Sequence, residues 1–434
     1  MKIVVIGTGY VGLVMGTGLA EFGHTVTCLD KNEKKIEMLN NSEIPIYEPG
    51  LKELVEKNVA DERLFFKTSD YEAISNAEVV FIAVGTPTSR RGDGYADLTY
   101  VYAAAAEIAP YLKDYTVIVD KCTVPVGTAR QVERIIRENN PDADFDVVSN
   151  PEFLREGAAV DDFLRPDRIV IGTESERAVE VMKQVYDPLY LLGCANVICN
   201  PESAELIKYA ANAFLAVKIS FINEMSLLCE ACGADVSDLA VGIGLDGRIG
   251  KKFLHAGPGY GGSCFPKDTK ALLKTSQEFS VPLRIVEAAV QANEAQRARM
   301  LGKIQNALNG EIAGKTIAVL GLSFKPETDD TRESPALSII PRLVEMGAKV
   351  KAHDPAAMEN AAKELENVEF VKNAYEAANN ADALVLLTEW HQYRALDLKR
   401  LLQEMNEPVF IDLRNVYNPK LLKDMGFKYF SIGR

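Results

Sequence analysis

Cys264 offers the most reactive chemistry in the chain. It stands near the end of Gly257 to Asp268, GPGYGGSCFPKD, where four of the first six residues are glycine. Such a loop reaches backbone angles that side chains forbid and lets a ligand lie against bare peptide. Pro266 suits a first helical position, and Lys267 to Phe279 reads as the helix that follows. The thiol then lies at the positive end of that helix. With Lys267 close by, both features favour the thiolate and make Cys264 a candidate nucleophile. The bland alternative is a small thiol filling an apolar gap.

Two other constellations carry chemistry. Lys208 and Asn212 are spaced i and i+4 within Glu202 to Ala231, a stretch without proline or glycine that reads as one helix of about 45 Å. Burying them among Leu206, Ile207, Phe214, Leu215, Val217, Ile219, Phe221, Ile222 and Met225 costs several kcal/mol unless each finds partners, which a catalytic site supplies. A solvated stripe or an interhelical hydrogen bond is the alternative. At the other end of the chain, Gly7, Thr8, Gly9, Tyr10, Val11 and Gly12 follow the strand Lys2 to Ile6 and precede a small-residue helix to about Phe22. The first glycine makes the turn, the second admits a pyrophosphate and the third lets helix and strand pack. A second strand, Thr25 to Leu29, ends in Asp30, 18 residues past Gly12. An acid there bonds the ribose hydroxyls of NAD and repels the 2′-phosphate of NADP; Lys31 and Lys35 keep NADP in view.

The elements that must position these groups alternate. Strands at Val79 to Val84, Thr116 to Asp120 and Asp146 to Ser149, with helical stretches at Tyr100 to Leu112 and Thr128 to Glu138, predict an α/β, doubly wound parallel sheet. The peptides after the strand ends, residues 85–88, 121–125 and 150–157, should line a ligand cleft. After the long helix, a glycine-rich connection holding Asp246 and Arg248 leads to Phe253, Leu254, His255 and the Cys264 loop, and helices run through Val281 to Leu308. The pattern restarts near Gly310 with strands at Thr316 to Leu320, Lys349 to His353, Ala383 to Leu387 and Val409 to Leu413. This predicts two Rossmann-like domains, 1–200 and 311–434, joined by a helical and dimerisation region, 201–310. The second domain lacks the later fingerprint glycines and should bind something other than a dinucleotide. Lys325, Arg332 and Arg414 near its strand ends could pair with phosphates, or with surface carboxylates.

A net charge of -14 argues against a general nucleic-acid or acidic-membrane surface. The first residues read as a strand entering a glycine turn, not a cleaved leader, and no uninterrupted apolar run reaches a membrane span. Seven cysteines suit free thiols in a reducing cytoplasm. Cys229 and Cys232 form a lone C-x-x-C without a second ligand pair and read as core packing. The four histidines show no ligand spacing.

Taken together, residues 259–268, the Asn150 to Leu154 loop, Lys208 with Asn212, and Phe324, Lys325 and Pro326 leading to Thr331, Arg332, Glu333 and Ser334 resemble the nucleotide-sugar 6-dehydrogenase family over essentially the whole chain. Gly85 departs from the asparagine expected there. The resemblance implies oxidation of the C6 alcohol of UDP-glucose to the carboxylate of UDP-glucuronate, using NAD twice and no metal. It implies a Cys264 thiohemiacetal and thioester, with Lys208 and Asn212 stabilising the anionic oxygen, Asp268 and Thr123 holding the water and Glu152 assisting proton transfer. It assigns Glu152, Phe153, Leu154, Lys208, Asn212, Phe253, Leu254, Tyr260, Gly261, Lys325 and Arg414 to the UDP-sugar, and Arg248 to a contact across a subunit interface. The fingerprint residues, Asp30, Lys35, Thr86, Thr123, Glu156, Lys267 and Arg332 would lie toward NAD. The same chemistry on GDP-mannose or a UDP-N-acetylhexosamine remains open. A two-electron 3-hydroxyacid dehydrogenase leaves Cys264 and the second α/β domain without a task. A non-catalytic NAD-sensing module would leave Cys264 dispensable.

Overall fold

A computed structural model describes residues 1–89 and 94–434 of the chain. It divides into two compact units, Met1–Ala211 with Lys270–Ser280, and Asn212–Thr269 with Val281–Arg434.

In the first unit, eight strands form one sheet among the described residues: β1 (Lys2–Ile6), β2 (Thr25–Leu29), β3 (Leu64–Lys67), β4 (Val79–Ile82), β5 (Thr116–Asp120), β6 (Phe145–Ser149), β7 (Arg168–Gly172) and β8 (Ala195–Cys199). Their spatial order is β3-β2-β1-β4-β5-β6-β7-β8. β4 and β5 are buried throughout, so they read as continuous apolar runs rather than alternating ones. One core packs the fingerprint helix, Tyr10–Glu21, on one face of the sheet, and a second core lies under Thr99–Ile108 and Thr128–Asn139 on the other. The sheet departs from the wholly parallel expectation at one place, where β6 meets β7 antiparallel through Ser149 and Gly172. β3, β7 and β8 are additions to the strands expected from sequence. β8 is a largely exposed edge strand and so carries no buried-strand pattern.

The second unit holds a parallel sheet ordered β11-β10-β9-β12-β13-β14, from β9 (Thr316–Leu320), β10 (Lys349–His353), β11 (Val368–Phe370), β12 (Ala383–Leu386), β13 (Val409–Asp412) and β14 (Lys428–Phe430). Its core joins the sheet to Arg284–Ala307 and to the later turns of the long helix through Ile222 and Cys229.

The long helix runs unbroken from Pro201 to Cys232, with Pro201 at the first position, where its missing N–H is no loss. By length and composition alone it could cross a membrane. Yet Glu205, Lys208, Asn212, Ser220, Asn223 and Ser226 are all buried, and hydrocarbon offers such groups no partners. Its burial is one-sided, because Leu206, Phe214, Phe221 and Leu228 are exposed. The helix after Cys264 spans Phe265–Glu278, so Pro266 takes its second position rather than the first; Pro is tolerated throughout a first turn, whose N–H groups lack partners. No disulfide joins the cysteines among the described residues.

Candidate active site

The cofactor cradle belongs to the first unit. Gly7 has φ +100°, and a Cβ there would stand 2.7 Å from the carbonyl oxygen of Ala83, so the turn requires glycine. A Cβ on Gly9 would meet nothing within 4 Å. That open space faces the start of the fingerprint helix, whose N-cap, Gly9, has no side chain to occupy the first N–H groups. An uncapped helix N-terminus of this kind is suited to a pyrophosphate. Asp30 Oδ2 accepts from the Thr8 N–H at 3.0 Å, the Thr8 hydroxyl at 2.7 Å and Lys35 Nζ at 3.1 Å. Burial works against its charge, but the N–H groups of Asn32 and Thr8, the Thr8 hydroxyl and Lys35 outweigh it and hold the carboxyl below its usual range. The charge of Lys35 is thereby engaged by Asp30, which leaves a 2′-phosphate facing a carboxylate. The residues present fit NAD. Thr86 and Thr123 meet through the Thr86 hydroxyl, which donates to the Thr123 carbonyl at 3.1 Å.

Glu48, which no sequence motif marked, ties this cradle to the 150–157 peptide. Its buried carboxylate accepts from the Tyr10 hydroxyl and from the Gly157 and Ala159 N–H groups at 2.6 and 2.7 Å. Glu156 thus sits beside a peptide pinned to the fingerprint.

The end of that peptide nearest β6 carries a buried ion pair. Lys208 Nζ lies 2.9 Å from Glu152 Oε1, with the two side chains only 4 and 8% exposed. The Leu154 N–H donates to Glu152 Oε2 at 2.5 Å. Burial pushes the Glu152 carboxyl upward, but the charge and hydrogen bond of Lys208, the Leu154 N–H and the charge of Lys121 prevail and keep it ionised. Phe153 lies under two cations, with the Arg168 guanidinium 3.5 Å and Lys208 Nζ 5.4 Å from its ring centre.

In the second unit the Cys264 loop is clamped from several sides. Asn223 of the long helix accepts the Gly257 N–H at 2.9 Å, and Gln296 donates to the Gly257 carbonyl at 2.9 Å. Asn293 bonds both the N–H and the carbonyl of Tyr260, at 2.8 and 3.1 Å, and Arg297 adds a bond to that carbonyl at 2.9 Å. Gly262, at φ +83°, lies so close to Phe324 that a Cβ would stand 2.7 Å from its ring. Glycine is therefore demanded by geometry as well as by ligand approach. Cys264 takes the cap position of the Phe265–Glu278 helix, its carbonyl accepting the Asp268 N–H at 2.8 Å, and its Sγ lies 3.5 Å from the Ser263 hydroxyl.

Asp268 is 1% exposed. It accepts from Asn212 Nδ2 and from Lys267 Nζ, each at 2.6 Å. Lys267 shares its charge with Asp268 at the start of their helix. Asn212 is a buried polar group whose partner is charged and lies on the Phe265–Glu278 helix, so the pair is an interhelical hydrogen bond of the stronger, charge-assisted kind.

The remaining expected residues scatter within the same unit. Leu254 and Tyr260 are buried, while Phe253 holds φ +64°, a strained angle for a bulky side chain. Its ring and that of Tyr260 both lie 6.0 Å from Phe265. Arg414 donates to the carbonyls of Leu387 at 2.6 Å and Phe324 at 3.1 Å, and the Lys325 ammonium lies 5.5 Å from the Phe324 ring. Arg332 pairs with Asp330 at 2.8 Å. Arg248 is 90% exposed and held by Asp246 at 2.6 Å.

Over residues 1–190 the chain matches the NAD binding domain of the UDP-glucose/GDP-mannose dehydrogenase family, over 202–295 its central domain and over 318–419 its UDP binding domain. The chain is 58% identical to a UDP-glucose 6-dehydrogenase of Rhizobium meliloti (strain 1021) across the full length of both. It is similar to the structure of a UDP-glucose dehydrogenase from Pyrobaculum islandicum, 39% identical, with a TM-score of 0.91 over 99% of this chain and 96% of that one. It is also similar to a UDP-D-ManNAc dehydrogenase from Pyrococcus horikoshii, 27% identical, with a TM-score of 0.88 over 100 and 99% of the two chains. With an open, uncapped fingerprint guarded by Asp30 and these matches along its whole length, the chain is an NAD-dependent oxidoreductase and belongs to the UDP-glucose/GDP-mannose dehydrogenase family.

Proposed function

We propose that the chain oxidises the C6 alcohol of UDP-glucose to the carboxylate of UDP-glucuronate through a covalent bond to Cys264. The observation that carries this reading is the Cys264 loop itself: a thiol capping a helix, with buried Asp268 four residues on, hydrogen-bonded to Asn212. The 58% identity to a UDP-glucose 6-dehydrogenase supports the choice of sugar.

NAD supplies a hydride acceptor for each of the two oxidations. The remaining chemistry belongs to side chains. Lys208 and Asn212 present donors to the C6 oxygen as it turns anionic, and Glu152, kept ionised beside Lys208, takes up the alcohol proton. Cys264 Sγ adds to the C6 aldehyde to give a thiohemiacetal, whose oxidation leaves a thioester. Asp268, with Thr123, orients the water that cleaves the thioester, releasing the carboxylate and restoring the thiol. Lys325 and Arg414 bind the diphosphate and Phe153, Phe253 and Tyr260 pack against the sugar nucleotide.

With limiting UDP-glucose and excess NAD, two NADH should form per sugar. Cys264→Ser should give no acid while still binding NAD. Acid formed at the wild-type rate by the Ser variant would remove the covalent step.

We also propose that a second copy of the chain covers the exposed stripe of the long helix. Phe214, Phe221 and Leu228 are 65, 49 and 57% exposed, and a spacing of seven puts them on one helix face. Residues 201–310 would thereby act as the dimerisation region between domains at 1–200 and 311–434.

A further inference from the structure

Lys121 is a second buried lysine beside Glu152, and nothing in the scheme above uses it. It follows Asp120 at the end of β5 and is 6% exposed. Its ammonium donates to Asn150 Oδ1 at 3.0 Å and to the Tyr186 hydroxyl at 3.3 Å. Tyr186 also donates to Asn150 Oδ1 at 2.6 Å, and Asn150 Nδ2 donates to the Val170 carbonyl at 2.6 Å. These partners are neutral, and no carboxylate lies within ion-pair distance of Lys121 among the described residues. A buried ammonium held only by neutral groups is costly. Its field therefore falls on the nearest charges, and in this part of the first unit these are Glu152 and Lys208.

We propose that Lys121 is a positioning residue that acts through space on the Glu152–Lys208 pair, holding Glu152 as a carboxylate on the acid side of neutrality. This rests on the role given to Glu152 above. Asn150 and Tyr186 fix the Lys121 side chain, so the distance to Glu152 is set by β5, β6 and the segment carrying Tyr186 rather than by a flexible stem.

Asp120, which precedes Lys121 on β5, turns one oxygen to the Cys122 N–H at 3.0 Å and leaves the other buried without a hydrogen-bond partner among the described residues, and burial raises its carboxyl to about 7. Glu205 accepts from the Gly127 and Ala129 N–H groups at 2.6 and 2.7 Å. Arg168 lies over Phe153.

Burial, partly countered by Glu152 and reinforced by Lys208, pulls the Lys121 ammonium down to about 7. Lys121 is thus charged below neutrality and largely neutral well above it. Its help to Glu152 is present at acid pH, where a buried carboxylate is in most danger of protonation, and fades as pH rises.

The test compares wild type with Lys121→Met and Lys121→Gln. For both variants, the fall of kcat on the acid limb of the pH profile should begin at higher pH than in wild type, while kcat at pH 8.5 stays within about twofold of wild type and KM for both substrates is little changed. Gln keeps a neutral donor on this side chain while removing the charge. If Met does not fold, Gln decides alone. An equal loss across the pH profile, a change confined to KM, or a Gln variant whose acid limb coincides with that of wild type would overturn the proposal.

A second readout does not depend on turnover. The infrared carboxyl band of protonated Glu152, identified by its loss in Glu152→Gln, should appear at higher pH in the Lys121 variants than in wild type. Unchanged titration of that band would also overturn the proposal. NADH yield from UDP-glucose in wild type separately tests the underlying reaction.

Discussion

Replacing Lys208 with Met leaves the Glu152 carboxylate buried without the cation that lies 2.9 Å from it. Removing one member of a buried pair costs about 3 to 5 kcal/mol. Here the Leu154 N–H remains, so the loss should fall near the lower end, about 3 kcal/mol. For a unit of about 200 residues that lowers its Tm by about 6 to 12 °C. The sign with pH is fixed by the direction of the Glu152 shift. In wild type its folded-state pKa is lowered, so its contribution is present above the unfolded value and is lost as pH falls through the folded one. In Lys208→Met burial is no longer offset and the folded pKa rises, so the penalty is present above it and relieved on acidification. The gap between the two proteins should therefore narrow from about pH 8 to about pH 5.5. Differential scanning calorimetry of wild type, Lys208→Met, Glu152→Gln and the double variant measures the coupling directly. The double variant should recover at least half of the loss at pH 8, because no uncompensated charge remains. An identical penalty in the single and double Lys208 variants, or a gap that does not change with pH, would refute the claim that this pair is held in a desolvated site.

Asp30→Ala removes the carboxylate that guards the ribose position, and KM for NAD should rise about tenfold or more, with the preference over NADP shrinking; steady-state kinetics with each cofactor decides, and unchanged KM for NAD would exclude Asp30 from the site. Gly262→Ala combines a residue at φ +83° with a Cβ 2.7 Å from the Phe324 ring, so denaturant unfolding of the second unit should show a loss of roughly 2 to 4 kcal/mol, and a variant as stable as wild type would mean that the loop does not need glycine there. Phe221→Glu places a charge in the exposed stripe of the long helix, and analytical ultracentrifugation should show a shift from dimer to monomer; a wild type that is monomeric at micromolar concentration removes that interface.

Local sequence carried the parts of the fold whose signals are short-range. β1, β2, β5, β9 and β10 have the expected bounds; β1, β5 and β9 are nearly uninterrupted apolar runs flanked by turns, and β2 and β10 alternate polar with apolar residues between turns. β3, β8, β11 and β14 were not legible: they are short or lie toward sheet edges, where one face is wet and the apolar run is broken, whereas β7 is a buried Ile-Val-Ile run between Arg168 and Gly172 whose signal was there to be read. The candidate site divides in the same way. Gly7, Gly9, Gly12 and Asp30 could be read because a turn, an open approach and a strand end each demand a residue type at a fixed spacing. The partners of the site residues could not, since Glu48 reaches Gly157 across 109 positions and Glu152 reaches Lys208 across 56.

By itself the sequence determined that a thiol stands in a glycine loop before a helix, that a lysine and an asparagine lie one turn apart, and that a dinucleotide turn is followed by a strand ending at an acid. Each follows from backbone constraints acting over a few residues. Only the tertiary structure decided how those groups are charged and held. Lys267 shares its charge with Asp268, Asn212 reaches that same carboxylate, and Lys208 is spoken for by Glu152. The ionisation of a buried group depends on what long-range folding places beside it, and burial makes each such neighbour count for more than it would in water.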